Sequence, residues 1–429
     1  MSDQDKRGDQ RKLPPRPQKK GASLIAEGPP RSAASVRGIA RLTWHRKGWY
    51  AHKLTFRKFV NTVLAGGEMF LRRKKLLCLP MAMKIDITPR CNLKCTVCVH
   101  AHANGNPVLA QQRFSKRQDM PLEKFREIID QVRGRSSVAN VYYLGDPLLH
   151  PDYVEMCRYA ADAGLCIQCS SNFSYRLSDE QIEGLVASGV THLRICIDGL
   201  RQEIYQRTRV GGQIELVMSN LKRLTAAKKK AGRPFPVVEV QYIKYQHNVH
   251  ELQPARVLFE KLGANVFTSF WGNLGNWIDG DPGNYRVFGS KRRRWYLPRC
   301  IWPYSAMLIK CNGDVLPCCN YRYGEQYAEG VQARTLGNVF ETSVREVWNS
   351  PAYQEIRRFV LNPRLIEKRP ELKETFCYCC WNLFHTDYLE LRGNRHVFDQ
   401  VYSIDERGIP VRQVEPEKVA PHSGWWEYT

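Results

Sequence analysis

From about residue 83 the chain alternates between two hydrophobic rhythms. Short, nearly continuous apolar runs stand at 83–88 (MKIDIT), 138–144 (VANVYYL), 165–170 (LCIQCS), 191–198 (THLRICID), 237–243 (VVEVQYI) and 265–271 (NVFTSFW). Between them lie stretches with apolar residues every three or four positions, such as PLEKFREIIDQVR, DYVEMCRYAADAG, SDEQIEGLVASG and IELVMSNLKRLTAAKKK. The first rhythm predicts strands buried on both faces, and the second predicts amphipathic helices. Several helical stretches run into a glycine, where a left-handed cap closes the last turn. Strand–helix units repeated in this way predict a parallel α/β sheet, either open or rolled into a partial barrel. Ligands of such sheets gather at the C-terminal ends of the strands.

The flanks follow other rules. Residues 1–45 are rich in Pro, Lys, Arg, Gly and Ser and poor in large apolar groups, which predicts a disordered basic tail. Residues 46–80 mix apolar and basic positions at helical spacing, a pattern suited to packing on the domain behind it or to lying on a membrane. The alternation stops near residue 285, so a core domain is expected over 81–285, a second cysteine-bearing region over 286–400 and a C-terminal tail over 401–429.

Net charge is +23, and residues 1–80 hold nineteen Lys/Arg against five Asp/Glu. That imbalance predicts a solvated basic segment, or contact of residues 1–80 with an anionic surface, nucleic acid or membrane. No run approaches the ~18 consecutive apolar residues of a membrane span, and the N-terminus lacks the apolar stretch of a secretory signal. Fifteen cysteines in such a chain point to reduced thiols and metal ligation, hence to a cytoplasmic protein.

Three of those cysteines, Cys91, Cys95 and Cys98, crowd into DITPRCNLKCTVC just past the first predicted strand. Structural zinc fills four positions, and zinc keeps one open only for catalysis. A 4Fe–4S cube also takes four thiolates. Three thiolates leave one iron without a protein ligand, able to bind a chelate. In this spacing and position the chain resembles the radical S-adenosylmethionine enzymes. The resemblance implies a partial (β/α)6 barrel and S-adenosyl-L-methionine bound through its amine and carboxylate to the open iron of a 4Fe–4S cluster. It further implies one-electron cleavage to a 5′-deoxyadenosyl radical that abstracts hydrogen from substrate, with the cofactor carrying the chemistry. Cofactor-binding roles are implied for Gly145, Asp146 and Pro147 of YLGDPLLHPD, where Asp stands in place of the family's Glu. The same holds for Ser171 and Asn172 of SSN, Asp198 of CIDG and Arg209 of YQRTRVGG. Taken singly, residues such as Asn172 and Asp198 serve turns and caps. Arg209, Gln241, Lys244, Tyr245 and Trp271 suit either pocket lining or packing.

A second group, RCIWPYSAMLIKCNGDVLPCCN, holds Cys300, Cys311, Cys318 and Cys319 and resembles the opening of a SPASM domain. NGDV suits a hairpin turn that would bring Cys300 and Cys318 together. FCYCCW adds Cys377, Cys379 and Cys380, and no cysteine follows. The match is therefore to the shortened, twitch-type form, a small α+β domain with one auxiliary 4Fe–4S cluster. Its implied ligands are Cys300, Cys318, Cys377 and Cys380, with Cys379 or an arginine able to replace one. A zinc ribbon on the same thiols is the other reading. Cys319, like Cys311 and Cys379, is a spare thiol and a candidate hydrogen donor, although spare cysteines usually act as small buried hydrophobes. Cys157, Cys166, Cys169 and Cys196 are expected in the core.

The single-cluster resemblance implies dehydrogenation or epimerisation of a sugar- or cyclitol-like small molecule. The alternatives are maturation of a ribosomally made peptide or protein, and a non-catalytic iron–sulfur or zinc protein docking on RNA or membrane. A low-potential electron donor such as flavodoxin or ferredoxin is the implied redox partner.

Overall fold

The computed structural model describes residues 52–96, 98, 119–245, 247–271, 285–288, 300–319, 335–362, 365, 368–369, 371–372, 377, 400–404 and 410–414. The tail expected over 1–45 lies outside these residues, as do Cys379 and Cys380. In chain order the first elements are helix α1 (Phe56–Phe70), strand β1 (Ala82–Ile85), α2 (Leu122–Val132), β2 (Val138–Asn140), α3 (Tyr153–Asp162), β3 (Cys166–Ser171) and α4 (Asp179–Ala187). There follow β4 (Val190–Ile197), α5 (Gln202–Tyr205), α6 (Ile214–Lys230), β5 (Val237–Lys244), α7 (Leu252–Lys261) and β6 (Val266–Trp271). All six expected strands form, and each pairs in parallel with the next from β1 to β6.

The helices close over one face of this sheet. α2 turns Phe125, Ile128, Ile129 and Val132 inward at helical spacing, and α4 starts at a capping box between Ser178 and Gln181. Their apolar sides merge with Met83, Ile85, Ile167, Ile195 and Val240 into one core. Alternate strand residues point the other way, and there the register sets Lys84 beside Asn140, Asn140 beside Gln168, Gln168 beside His192, and Arg194 beside Glu239. The lower rim of that face is apolar, where Val138 and Phe235 pack on Cys166, Val237 and Val266. An open sheet covered on both sides would fill this second face with aliphatic groups. A polar inner face under a one-sided coat of helices belongs to the partial barrel.

Beyond the barrel stand β7 (Tyr285–Phe288), α8 (Trp302–Ser305), β8 (Ala306–Ile309), β9 (Val315–Leu316), α9 (Val344–Trp348), α10 (Pro351–Leu361), β10 (Gln400–Ile404) and β11 (Pro410–Val414). The hairpin expected at NGDV is β8–β9, turned at Gly313, whose φ of +86° suits glycine. β8 lies parallel beside β1, Ala306 opposite Ala82 and Ile309 opposite Ile85, so the hairpin extends the barrel sheet to the order β6-β5-β4-β3-β2-β1-β8-β9. Strands β7 and β10 run across positions 285/286 and 400/401. β7 pairs antiparallel with β10, and β10 with β11, so the tail expected over 401–429 contributes strand to a three-stranded sheet. Among the described residues no helix is long and apolar enough to cross a membrane.

Candidate functional site

The first cysteine cluster sits where β1 runs out. Asp86 N still donates to Ile309 O at 2.8 Å, after which the chain leaves the sheet as a loop. Two backbone bonds pin that loop to the segment after α5, Lys94 N to Val210 O (2.9 Å) and Thr96 N to Thr208 O (3.0 Å). On its other side Asp146 N donates to Arg90 O at 2.7 Å. This contact requires Gly145, because a Cβ there would lie against Thr88 O and 2.6 Å from Arg90 O. The reason for glycine in the GDP stretch is thus a close backbone approach.

The Asp146 side chain is bonded within the protein. Its carboxylate is fully buried and accepts from Ser171 Oγ (3.0 Å), Asn172 N (2.8 Å) and Leu148 N (3.2 Å). Burial raises this carboxyl to about 6, and the bonds from Asn172, Ser171 and Leu148 pull against that rise. Pro147 then opens a short 3-10 turn. Ser171 is therefore spent on Asp146, whereas Asn172 reaches the cysteine loop. Asn172 Nδ2 donates to Asn92 Oδ1 at 2.9 Å and lies 3.9 Å from Cys91 Sγ. Asn92, which the sequence did not single out, stands inside the cysteine motif itself.

Asp198 and Arg209 form a buried ion pair, Nε to Oδ2 at 2.6 Å and Nη2 to Oδ1 at 3.3 Å. The guanidinium's third nitrogen, Nη1, is 3.9 Å from Cys95 Sγ. Burial disfavours the charge on Arg209, but Asp198 and the nearby sulfurs outweigh it and hold the guanidinium ionised. The Tyr205 hydroxyl is buried beside this pair and has no hydrogen-bond partner among the described residues.

Both innermost thiols resist ionisation in the bare protein. Burial pushes Cys91 up to about 12, with Asp146 adding to it. Burial also raises Cys95, and Arg209 opposes the rise. Buried thiolates of this kind need a bound cation to hold them deprotonated, which iron supplies. Among the described residues no three Cys, His, Asp or Glu groups converge as a single metal ion requires. A cube takes one thiolate per iron, so its ligands stand farther apart. The donor set fits a cluster held by Cys91, Cys95 and Cys98.

Inside the barrel Glu239 accepts from His192 (2.9 Å), Arg194 (3.2 Å) and Thr268 (2.6 Å). Lys84 Nζ lies 3.9 Å from the centre of the Tyr142 ring, and Asn140 Oδ1 is buried without a partner among the described residues. Cys196 lies within 3.8 Å of Gln241 Oε1 and is half-buried, whereas Cys157, Cys166 and Cys169 are core as expected. Lys244 and Tyr245 are buried at the end of β5, and the Trp271 side chain lies outside the described set. The inner polar layer was legible as polar residues at every second position within β4 and β5.

Cys318 and Cys319 pack with Tyr143, Leu308 and Leu316, close to the Gly145 turn. Cys300 and Cys377 pack against the main core, and Cys380 lies outside the described residues. Cys311 is buried at the hairpin turn.

The family model of the radical SAM superfamily matches residues 85–237, and that of SPASM, an iron–sulfur cluster-binding domain, matches residues 300–381. The chain is 24% identical over 313 residues to the AdoMet-dependent heme synthase of Methanosarcina barkeri, covering 65% of this chain and 85% of that one. It is 25% identical over 175 residues to the PqqA peptide cyclase of Bradyrhizobium diazoefficiens, covering 41% and 42%. Among solved structures, Streptococcus suis SuiB bound to S-adenosylmethionine is similar at 17% identity, covering 68% of this chain and 70% of that one with a TM-score of 0.45.

Proposed function

We propose, from the premise that this chain belongs to the radical SAM superfamily and carries a SPASM iron–sulfur domain, that its substrate is a peptide. S-adenosylmethionine and a 4Fe–4S cluster are its cofactors, and the SPASM domain implies auxiliary iron–sulfur binding. When bound, they supply one-electron cleavage of a sulfonium and, from it, hydrogen abstraction at carbon. The protein's part is positional. Cys91, Cys95 and Cys98 hold the cluster. Asn172 and Asn92 fix Cys91, Arg209 sets the charge beside Cys95, and Gly145 lets the 145–147 turn close on the loop. Lys84, Asn140 and Arg194 on the inner face offer polar contacts to substrate inside a space that the strands shield from water.

The observation that carries the reading is the thiol loop at the end of β1 with Arg209 and Asn172 on its sulfurs. For the substrate class, the support is the relative named as a peptide cyclase. The sugar- or cyclitol-like substrate expected from the shortened cysteine pattern gains no support from these relatives, so the peptide takes its place. A free small molecule stays as a second reading, because the relative matched over the greater length is named a heme synthase.

The test is anaerobic reconstitution with iron and sulfide, then dithionite, S-adenosylmethionine and short peptides encoded beside the gene. Wild type should release 5′-deoxyadenosine and leave one peptide lighter by two hydrogens or inverted at one α-carbon. Cys95→Ala should release none. Full 5′-deoxyadenosine from Cys95→Ala would refute the site. Turnover of small molecules but of no peptide would move the assignment to the second reading.

A further inference from the structure

Helix α1 is amphipathic in the inverse sense. Its buried residues are Lys58, Asn61, Ala65 and Glu68, whereas Phe56, Phe59, Val63 and Phe70 are each more than half exposed. At ~100° per residue these apolar side chains fall on one arc and the buried polar ones on the opposite arc. Leu54, Leu71 and Leu77, also more than half exposed, extend the apolar surface beyond both ends of the helix.

The buried side has bonds that fix its orientation. Lys58 Nζ donates to Gly164 O and to Lys53 O (2.9 Å), and Lys53 Nζ donates to Ala161 O (2.7 Å) and Leu165 O (3.2 Å). Two ammonium groups thus sit on the carbonyls at the C-terminal end of α3, where the helix dipole favours them. Asn61 exchanges two 2.9 Å bonds with the backbone of Leu79. Glu68 accepts from Leu77 N (2.7 Å) and Cys78 N (3.1 Å). Rolling the helix over would strand all of these groups, so the apolar arc faces away from the protein.

Charge decides what covers it. Arg57 of the helix and Arg72, Arg73, Lys74 and Lys75 just after it are exposed, and the one acid of α1, Glu68, is buried and paired with Arg73 at 3.8 Å. We infer that α1 and the basic turn after it dock on an anionic lipid bilayer, with the helix lying in the headgroup plane. A second copy of the chain would set this basic turn against its own image. Residues 1–50 carry twelve Lys/Arg against four Asp/Glu and are repelled in the same way. Nucleic acid would answer the charge but leave the phenyl rings in water. A lipid surface answers both, taking the rings below its headgroups and the cations among them.

The test uses the full chain with vesicles of phosphatidylcholine alone or mixed with phosphatidylglycerol, read by co-sedimentation. The protein should pellet with the mixed vesicles, far less with the neutral ones, and come off in high salt. Phe59→Ser/Val63→Ser and, separately, Lys74→Glu/Lys75→Glu should each lower the bound fraction about tenfold. Melting by circular dichroism should stay unchanged, because these side chains are exposed. Failure of wild type to pellet with mixed vesicles overturns the inference, as does full binding by Phe59→Ser/Val63→Ser. Conversion of a wild-type dimer to monomer by that variant, or crosslinking of a photoreactive group in place of Val63 to residues 1–51, also overturns it and names the true occupant.

Discussion

Arg209 bonds Asp198 through two nitrogens and turns the third toward Cys95. The pair is almost fully buried, so removing one partner leaves an uncompensated charge and should cost about 3–5 kcal/mol. Arg209→Gln should therefore lower the denaturant midpoint, and Asp198→Asn in the same chain should recover part of the loss. A merely structural pair would stop there. With the cation beside a cluster thiolate, Arg209→Gln should also move the midpoint potential of the reconstituted cluster to more negative values in an EPR-monitored titration. The neutral double variant should return it partway. An unchanged potential would limit Arg209 to a packing role. At this scale the motifs YQRTRVGG and SSN were legible, but their use was not. Asp198 stands at a strand end where it can face a cofactor, and in the fold its carboxylate holds Arg209, while the Asp146 carboxylate holds Ser171 and Asn172. Short polar residues at a strand end suit both tasks, and only the partner's position distinguishes them.

Arg357 of α10 ties the second region to the barrel. It is fully buried with no carboxylate in salt-bridge contact among the described residues, donating to Pro303 O (2.8 Å), Lys74 O (2.7 Å) and Trp348 O (2.7 Å) while its guanidinium lies 4.6 Å from the centre of the Trp348 ring. Burial lowers it to about 10, still charged at neutral pH. These bonds join α8, the stretch before β1, α9 and α10. Arg357→Met keeps most of the volume but orphans three carbonyls, so a loss of about 3–5 kcal/mol is expected in urea unfolding. Arg357→Lys should recover little, since one ammonium cannot span three acceptors. A Met variant as stable as wild type would show that aromatic packing alone holds the joint. α10 begins at a Ser350–Pro351 start and buries Tyr353, Ile356, Phe359 and Val360 at helical spacing, but nothing in that spacing names three distant carbonyls.

Across the whole molecule the most consequential buried acid is Asp86, where β1 leaves the barrel. Complete burial raises its carboxyl to about 7, against the Leu144 and Gly145 amides and the charges of Lys310 and Lys84. Cys311, which also lies near it, is pushed up to about 12 by burial and stays neutral. Unfolded aspartate titrates near ~3.9. Between about pH 4 and 7 the folded chain therefore holds a proton that the unfolded chain has lost, and stability falls as pH rises through that window. A difference of about three pKa steps corresponds to roughly 4 kcal/mol at most. Asp86→Asn should flatten the slope, raising the urea midpoint more at pH 8 than at pH 5. An equal effect at both pH values would show that Asp86 is ionised in the fold.

Local rhythm and spacing determined the strand–helix alternation and the cysteine triplet at the end of β1, because periodicity and loop length are properties of neighbouring residues. Tertiary structure decided that β8 lies on β1 across more than two hundred residues, and that Asp146 clamps Ser171 and Asn172. It also decided that α1 packs by its polar side. An amphipathic pattern states that a helix has two faces, and which one is covered depends on the groups that occupy the space beside it.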